Sequence, residues 1–566
     1  MFLPTTKEEM KKKGYKKLDI ILISGDTYID SSYNGIAILG NLLTLKGYKV
    51  GVIAQPNIDD DDITRLGEPE LFWGISAGLV DSMVANYTAT KKRRNNDDFT
   101  PGGVNNRRPD RATIVYSNLI RKYFKNTKPI VIGGIEASLR RVPHYDYWGN
   151  NIRRSIIFDA KADILIYGMG EKPITELAEN LKNGKSYEDT RGICYISKEK
   201  KDDYIELPSY DSVKNSKTEF IDMFNMFYLN NDAINSKGLF QQNDEHRYLI
   251  HNPPALPLTE EEMDYVYDID YERDVHPYYK AQGEVKALET IKNSITSHRG
   301  CYGECNFCAI AVHQGRLIIN RSEESILREA NIISKKKDFK GYINDVGGPT
   351  ANMYNVECDK KIKYGSCKEK RCIFPKKCSK LNINHKKQLN LLEKIRDIKN
   401  VKKAFIASGI RYDMILDDKK YGREYLETII KHHISGQMKI APEHTEDKVL
   451  SQMGKPTKEN LKLFKDTFDE INRKENKKQF LTYYLIAAHP NCDEKDMLAL
   501  KNFVNKELRI NPEQIQIFTP TPSTYSTLMY YTEMDPFTRK KIFVEKDTNK
   551  KIIQKDIVVR KIGGRK

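Results

Sequence analysis

No stretch of the 566-residue chain approaches the roughly 18 uninterrupted apolar residues that a membrane-spanning helix needs. The N-terminus opens Met1-Phe2-Leu3-Pro4 and turns at once to lysine and glutamate, so the apolar core of a signal peptide is missing as well. Both absences predict a cytoplasmic protein with no membrane partner. A full G-x-G-x-x-G is also lacking, which withdraws support for a dinucleotide fold. Cysteine is scarce and uneven: seven of the nine thiols fall between positions 301 and 378, leaving Cys194 and Cys492 outside. An odd, clustered set in a chain without a secretion signal excludes a disulfide framework and points to metal or redox chemistry.

The hydrophobic share of 39% is enough for sizeable cores, and the length suits roughly three domains unless one barrel absorbs much of it. The formal charge is +16. Residues 535–566 carry 11 Lys/Arg against 4 Asp/Glu, so they read as a basic C-terminal tail. Such an excess suits an anionic partner such as RNA. Against that stand the absence of a recognisable RNA-binding module and the scatter of lysine along nearly every surface segment.

The first 240 residues alternate strand and helix signals. Leu18–Ser24 and Val50–Ala54 are short buried-strand runs, and Gly35–Lys46 has helical spacing before Gly47 stops it. Ile130–Ile132 runs into Gly133-Gly134, and Asp163–Tyr167 into Gly168-Met-Gly170-Glu171. Apolar runs separated by helix-length segments imply a doubly wound parallel sheet, with ligands beyond the carboxyl ends of the strands. Residues 81–111 interrupt this pattern with a polar loop that contains Lys91-Lys-Arg-Arg94; a functional cover and a solvated insertion are both open. Residues 241–284 read as a linker, with paired prolines at 253 and 254 and a helix start at Thr259 with Glu262 in capping-box spacing.

From 285 to 534 strand–helix units repeat six times, suggesting a partial (β/α)6 barrel whose chemistry lies at the strand C-termini. The first strand, Thr290–Ser297, leads into Cys301-Tyr-Gly-Glu-Cys305-Asn-Phe307-Cys308. Three thiols spaced C-x3-C-x2-C can face one point, and soft thiolates suit iron–sulfur clusters, zinc or copper(I). Three ligands leave a four-iron cube one short. Later strands end in Gly347-Gly348-Pro349-Thr350, Ser408-Gly409-Ile-Arg411, Pro442-Glu443-His444, His489-Pro490 and Thr519-Pro-Thr-Pro522. Cys358, Cys367, Cys372 and Cys378, in a lysine-rich insertion at 355–380, form a second candidate metal site, suited to an auxiliary iron–sulfur cluster or structural zinc.

The triplet with Phe307 before its last cysteine resembles the signature of radical S-adenosylmethionine (SAM) enzymes. Gln55-Pro56, Gly133-Gly-Ile-Glu136-Ala-Ser138-Leu-Arg140-Arg141, Gly347–Tyr354 and Ala441-Pro-Glu-His444 extend the resemblance to YgiQ-type radical SAM proteins over nearly the whole chain. The resemblance implies a [4Fe–4S] cluster on Cys301, Cys305 and Cys308, with SAM chelating the open iron. An electron from a flavodoxin- or ferredoxin-like donor would split a sulfonium C–S bond and give a 5′-deoxyadenosyl radical. It also implies SAM contacts from Phe307, Gly347, Gly348, Ser408, Arg411 and Glu443, and it names no substrate. Alternatives are radical SAM modification of RNA, by methylation or thiolation, and a non-catalytic iron–sulfur or zinc protein. The N-terminal half resembles the cobalamin-binding type of doubly wound domain. No D-x-H-x-x-G cobalt-ligating pattern is present, the chain reading Asp30-Ser31-Ser32 there, so the expectation is this fold without cobalamin.

Overall fold

The computed structural model describes residues 2–559. The chain divides into two compact units at Lys292/Asn293, with Val312–Gln314 returning to the first.

The first unit is built on nine strands. Its parallel part comprises β1 (Ile20–Ser24), β2 (Val50–Ala54), β3 (Phe72–Ser76), β4 (Ile130–Gly133) and β5 (Ile164–Ile166). Helices α1 (Gly35–Leu45), α2 (Ala112–Tyr123) and α3 (Glu171–Lys182) lie between or after them. Every residue of β1 and β2 is buried, which is why these strands are unbroken apolar runs and not alternating ones. Helix α1 begins where the Asn34 side chain accepts the Ile36 amide at 3.0 Å, one of the donors a helix start leaves orphaned. Four further strands, β6 (Ile193–Ser197), β7 (Ile205–Leu207), β8 (Leu239–Asp244) and β9 (Arg247–His251), complete the order β7-β8-β9-β6-β5-β4-β3-β1-β2.

Strands β8 and β9 correct the reading of 241–284 as a linker. They pair antiparallel from Leu239↔His251 to Asp244↔Arg247 and belong to the main sheet. Polar side chains such as Gln241 and Gln242 hid them; Gln241 is buried and donates to the Pro208 carbonyl at 2.7 Å. The capping box at Thr259 and Glu262 does start a helix, Glu260–Tyr267. The polar loop at 81–111 is tied down by Arg108, which is fully buried and meets Asp26 at 2.6 Å and Asp97 at 3.0 Å. Removing one member of such a buried set costs about 3–5 kcal/mol.

The second unit carries parallel pairings in chain order. Its strands are β10 (Ser294–Thr296), β11 (Tyr342–Ile343), β12 (Asp345–Gly347), β13 (Lys403–Ala404), β14 (Gln437–Glu443), β15 (Phe480–Ala487) and β16 (Gln516–Ile517). β10 pairs with β12, β11 with β13, and β14 with β15, which pairs with β16. A parallel bridge, Ile410↔Ile440, links the third and fourth segments. Helices α4 (Glu323–Ser334), α5 (Lys386–Arg396), α6 (Gly422–Thr428), α7 (Lys458–Lys474) and α8 (Glu494–Phe503) supply the crossovers, and their apolar residues share one core with Ile295, Ile343, Val346, Ile440 and Leu485.

The expected C-terminal tail is corrected as far as it is described. Thr548–Val559 forms α9, with Lys551, Gln554 and Val558 buried. Gln554 accepts the Ala488 amide at 3.1 Å, and Lys551 donates to the Tyr530 hydroxyl at 2.7 Å. Periodic apolar positions among the lysines make this a packed helix; residues 560–566 lie outside the described residues. Among the described residues no helix is long and apolar enough to cross a membrane.

Candidate metal and cofactor centre

β10 delivers the chain into the cysteine loop. Gly300, at φ +84°, makes the first turn, and a Cβ there would lie 1.9 Å from the Leu317 carbonyl oxygen, so only glycine fits. The Cys301 sulfur receives the Gly303 amide at 3.2 Å and lies 3.4 Å from the Thr350 hydroxyl. The Cys305 sulfur receives Nη1 of Arg411 at 3.5 Å. A Cβ on Gly303 would stand 3.1 Å from the Cys301 sulfur and 3.6 Å from that of Cys305. The loop therefore keeps an open cradle between thiols. Among the described residues no three His, Cys, Asp or Glu side chains converge on a single ion, so the triplet is not a preformed one-metal knot.

Burial shapes the electrostatics. It pushes the Cys308 thiol up to about 12, reinforced by Cys305 and Cys301, and raises Cys301 against the Thr350 hydrogen bond. Thiolates in such a place need cations. Arg411 is one: burial alone would lower its pKa, but Asp413, Cys305 and Cys301 hold it raised. Its guanidinium grips Asp413 in a two-pronged pair at 2.8 and 2.6 Å, the geometry that suits arginine to carboxylates. Lys455 is the second, 3.7 Å from Glu443 and 5.9 Å from the Phe307 ring centre. Burial raises the Glu443 carboxyl, with Lys455 and Arg411 opposing. Glu443 itself sits at φ +69°, a left-handed conformation rare outside glycine and asparagine.

The strand ends behind the loop are locked by hydrogen bonds. Asp345 accepts the amides of Ala407 at 2.8 Å and Ser408 at 3.2 Å, and also the Ser408 hydroxyl. Gly347 offers its carbonyl to the Ser297 amide at 2.7 Å. A Cβ on Gly348 would lie 2.7 Å from the His298 ring, so glycine there is required by packing. Asn352 receives the Arg411 amide at 2.8 Å and donates to its carbonyl at 3.0 Å.

Cys301, Cys305, Arg411 and Asp413 thus come together, with Cys308 close enough to both other thiols to feel their charge. Phe307 and Glu443 join through Lys455. Gly347 and Ser408 meet through Asp345, a Cβ on Gly347 reaching Ser408 at 3.4 Å. Cys358, Cys372 and Cys378 share an apolar cluster with Tyr302 and Cys301, while Cys367 is outside it. Lys361 is buried beside Cys372, 3.6 Å from its sulfur and 3.7 Å from Glu304. Sequence reasoning missed Lys455, Asp345 and Arg371, which donates to the Glu304 carbonyl at 2.9 Å and to Asn306 at 2.7 Å. Asp413 belongs to the run Ser408–Asp413 at the third strand end, where sequence reasoning assigned it no role; Lys455 and Arg371 carry no local signal.

In the first unit a cavity of about 120 Å³ opens where β3, β4 and β5 end, lined by Leu39, Gly133, Gly134, Gly170, Ile174 and His313 among others. An engineered void of about 150 Å³ admits benzene, so this one has room for a single flat ring.

A parallel-stranded unit with a three-thiol loop at its strand ends defines the radical SAM class. The radical SAM N-terminal family model matches residues 2–294. The chain belongs to that family. It is 63% identical to a UPF0313 protein of Fusobacterium nucleatum over 100% of both chains. A UPF0313 protein of Thermotoga neapolitana is 46% identical, also over 100% of each. Among solved structures, the radical SAM methyltransferase TsrM of Kitasatospora setae, with cobalamin and a [4Fe–4S] cluster bound, has TM-score 0.51 at 14% identity, covering 90% of this chain and 77% of that one. The same enzyme with tryptophan and a SAM analogue has TM-score 0.50 at 13% identity, covering 89% and 74%.

This overturns the expectation of a cobalamin-free fold. A solved structure sharing the fold over 90% of the chain holds cobalamin. D-x-H-x-x-G supplies a single cobalt ligand, one contact among the many a macrocycle makes, so its absence never spoke to the rest of the surface.

Proposed function

We propose that the chain is a radical SAM enzyme that holds a [4Fe–4S] cluster on Cys301, Cys305 and Cys308. When bound, such a cluster with SAM supplies a reductively generated 5′-deoxyadenosyl radical. The observation that carries this reading is the Gly303 cradle, which keeps side-chain volume out of the space between the Cys301 and Cys305 sulfurs. In this reading the second unit is a partial barrel. Arg411 and Lys455, both buried beside the half-buried thiols, balance thiolate charge. Asp413 fixes Arg411, so the guanidinium stays aimed at Cys305. Phe307 walls the loop, and Glu443 with Lys455 presents a polar pair to the cofactor. Asp345 holds Ser408 beside Gly347, where the backbone carries the methionyl end of SAM. A one-electron donor of flavodoxin or ferredoxin type completes the system.

A further reading assigns a corrinoid to the first unit, favoured by the glycine-lined cavity at the strand ends and by the neighbour that binds cobalamin. Gly133, Gly134, Gly170 and the apolar side chains around them would hold one flat ring of such a cofactor.

Anaerobic reconstitution with iron and sulfide, then reduction with SAM present, tests both. The radical reading expects 5′-deoxyadenosine from the native chain and none from Cys301→Ala. A [4Fe–4S] spectrum with no SAM consumed overturns it. S-adenosylhomocysteine appearing only after cobalamin loading would instead establish methyl transfer.

A further inference from the structure

The +16 charge is not spent where the chain's motifs suggested. Arg108 of the polar loop is buried in an ion-pair set, and the C-terminal helix packs through Lys551. A set of exposed lysines lies at the end of the second unit's sheet where the strands begin, opposite the strand ends that carry the cysteine loop.

That end is continuous. The Lys402 and Lys403 amides donate to the Gly341 carbonyl at 2.8 and 3.1 Å. The Ala404 carbonyl is 2.7 Å from the His433 ring, and the Phe480 amide reaches the Gly436 carbonyl at 3.0 Å. Onto this edge the chain places Lys340 before β11, Lys402 and Lys403 at β13, and Lys477 and Lys478 before β15, all exposed. Lys431 and Lys474 nearby are already matched by Glu475 and Glu427. The field is felt locally: burial lowers the pKa of His432, and Arg396, Lys431 and Lys477 lower it further.

Aromatic rings interrupt the cations. Leu481, Tyr483, Leu485 and Ala487 of β15 turn to the core. Phe480, at the start of β15, is 59% exposed. Phe480 shares its register with Gln437, and Thr482 hydrogen-bonds that glutamine at 3.0 Å, so these residues occupy one face. Tyr342 is 43% exposed and stacks on Phe405, rings 6.0 Å apart and 11° from parallel. Exposed rings of this size do nothing for the core, and the strand-start end of such a sheet ordinarily serves stability alone.

We propose that this face binds single-stranded nucleic acid, the lysines tracking phosphates and the rings of Tyr342 and Phe480 stacking bases. Cations interleaved with aromatics on a sheet face suit unpaired bases, which expose both ring faces. A duplex hides those faces. An anionic lipid surface would use the charge without needing separate rings on pleated strands. Lying away from the cysteine loop, the face holds the strand and does no chemistry on it, and it stands whether or not the radical SAM reading does.

The test is fluorescence anisotropy of the full chain, without SAM, on a labelled 20-nucleotide single-stranded RNA between 50 and 200 mM salt. Lys402→Glu with Lys403→Glu and Lys478→Glu should weaken binding at least ~10-fold and flatten the salt slope by about three charges. Phe480→Ala with Tyr342→Ala should weaken it roughly 10-fold or more with the salt slope kept, because stacking is not ionic. Lys11→Glu with Lys12→Glu, in the first unit, should change nothing. Circular dichroism checks that each variant folds. Native affinity in both sheet variants overturns the proposal, as does equal affinity for the matching duplex. Tight binding to phosphatidylserine vesicles that the sheet variants lose, with no RNA affinity, would make the face a lipid contact and overturn it too.

Discussion

Gly303 is a small residue with a large expected consequence. Its φ is ordinary, so Gly303→Ala carries no left-handed strain. The added methyl would sit 3.1 Å from the Cys301 sulfur, in the space the proposed cluster would need. Iron per chain after reconstitution is expected to fall several-fold while the circular dichroism spectrum is unchanged; full loading of the variant would mean that the cradle is not the cluster's space. Histidines supply a second residue-scale prediction. Burial holds His298 at about 4 and His444 and His489 at about 3, His489 also facing His444. These values lie below the ordinary 6.5, so on acidification the unfolded chain takes up protons before the folded one. Stability is complete above pH 6.5 and is lost progressively between about 6.5 and 3. The urea midpoint should therefore drop between pH 7.5 and 5.5, and drop less in His489→Gln, which can keep the Ser526 bond of 2.7 Å. Identical midpoints at the two pH values would show that these rings are not held neutral. At this scale the sequence was legible where chemistry is local. Three thiols within eight residues announce themselves, and Asp413 stands beside Arg411. Lys455 and Arg371 were not legible, because each reaches the loop from tens of residues away through the fold.

Elements show the same division between local and distant causes. β1 and β2 could be read because a sheet covered on both faces demands uninterrupted apolar residues. β8 and β9 could not, since Gln241 is satisfied by a partner that the sequence does not display. Helix α9 was misread for a related reason: its lysines suggested solvent, yet Lys551 and Gln554 are buried by hydrogen bonds to Tyr530 and Ala488. Gln554→Ala would leave the buried Ala488 amide without its partner, a loss of about 1–3 kcal/mol. Chemical unfolding of the second unit should shift accordingly, whereas a mere solvated tail would tolerate the change. The six parallel segments were legible through repeated alternation of strand and helix. Their extents were not, because β11, β13 and β16 are only two residues long and hold their place through core side chains such as Ile343 and Ala404.

On the scale of the whole molecule, the two units present two separate binding problems. The cysteine loop draws its charge balance from Arg411 and Lys455, both within the second unit. The glycine-lined cavity belongs to the first, which takes back Val312–Gln314 so that His313 forms part of its wall. Loading of the two should therefore be separable. Replacing Cys301, Cys305 and Cys308 together by alanine is expected to abolish iron binding and leave hydroxocobalamin binding intact, read from the corrinoid absorbance that co-elutes with the protein. Gly170→Leu should do the reverse. A Cβ there already lies 3.4 Å from the Leu39 side chain, and a leucine of that reach would fill a cavity of about 120 Å³. Cobalamin should then be lost while iron content stays native. If the leucine variant retains cobalamin at the native affinity, the cavity is not its seat. If the alanine variant loses cobalamin as well, the two sites depend on one another, and independent loading of the units is wrong.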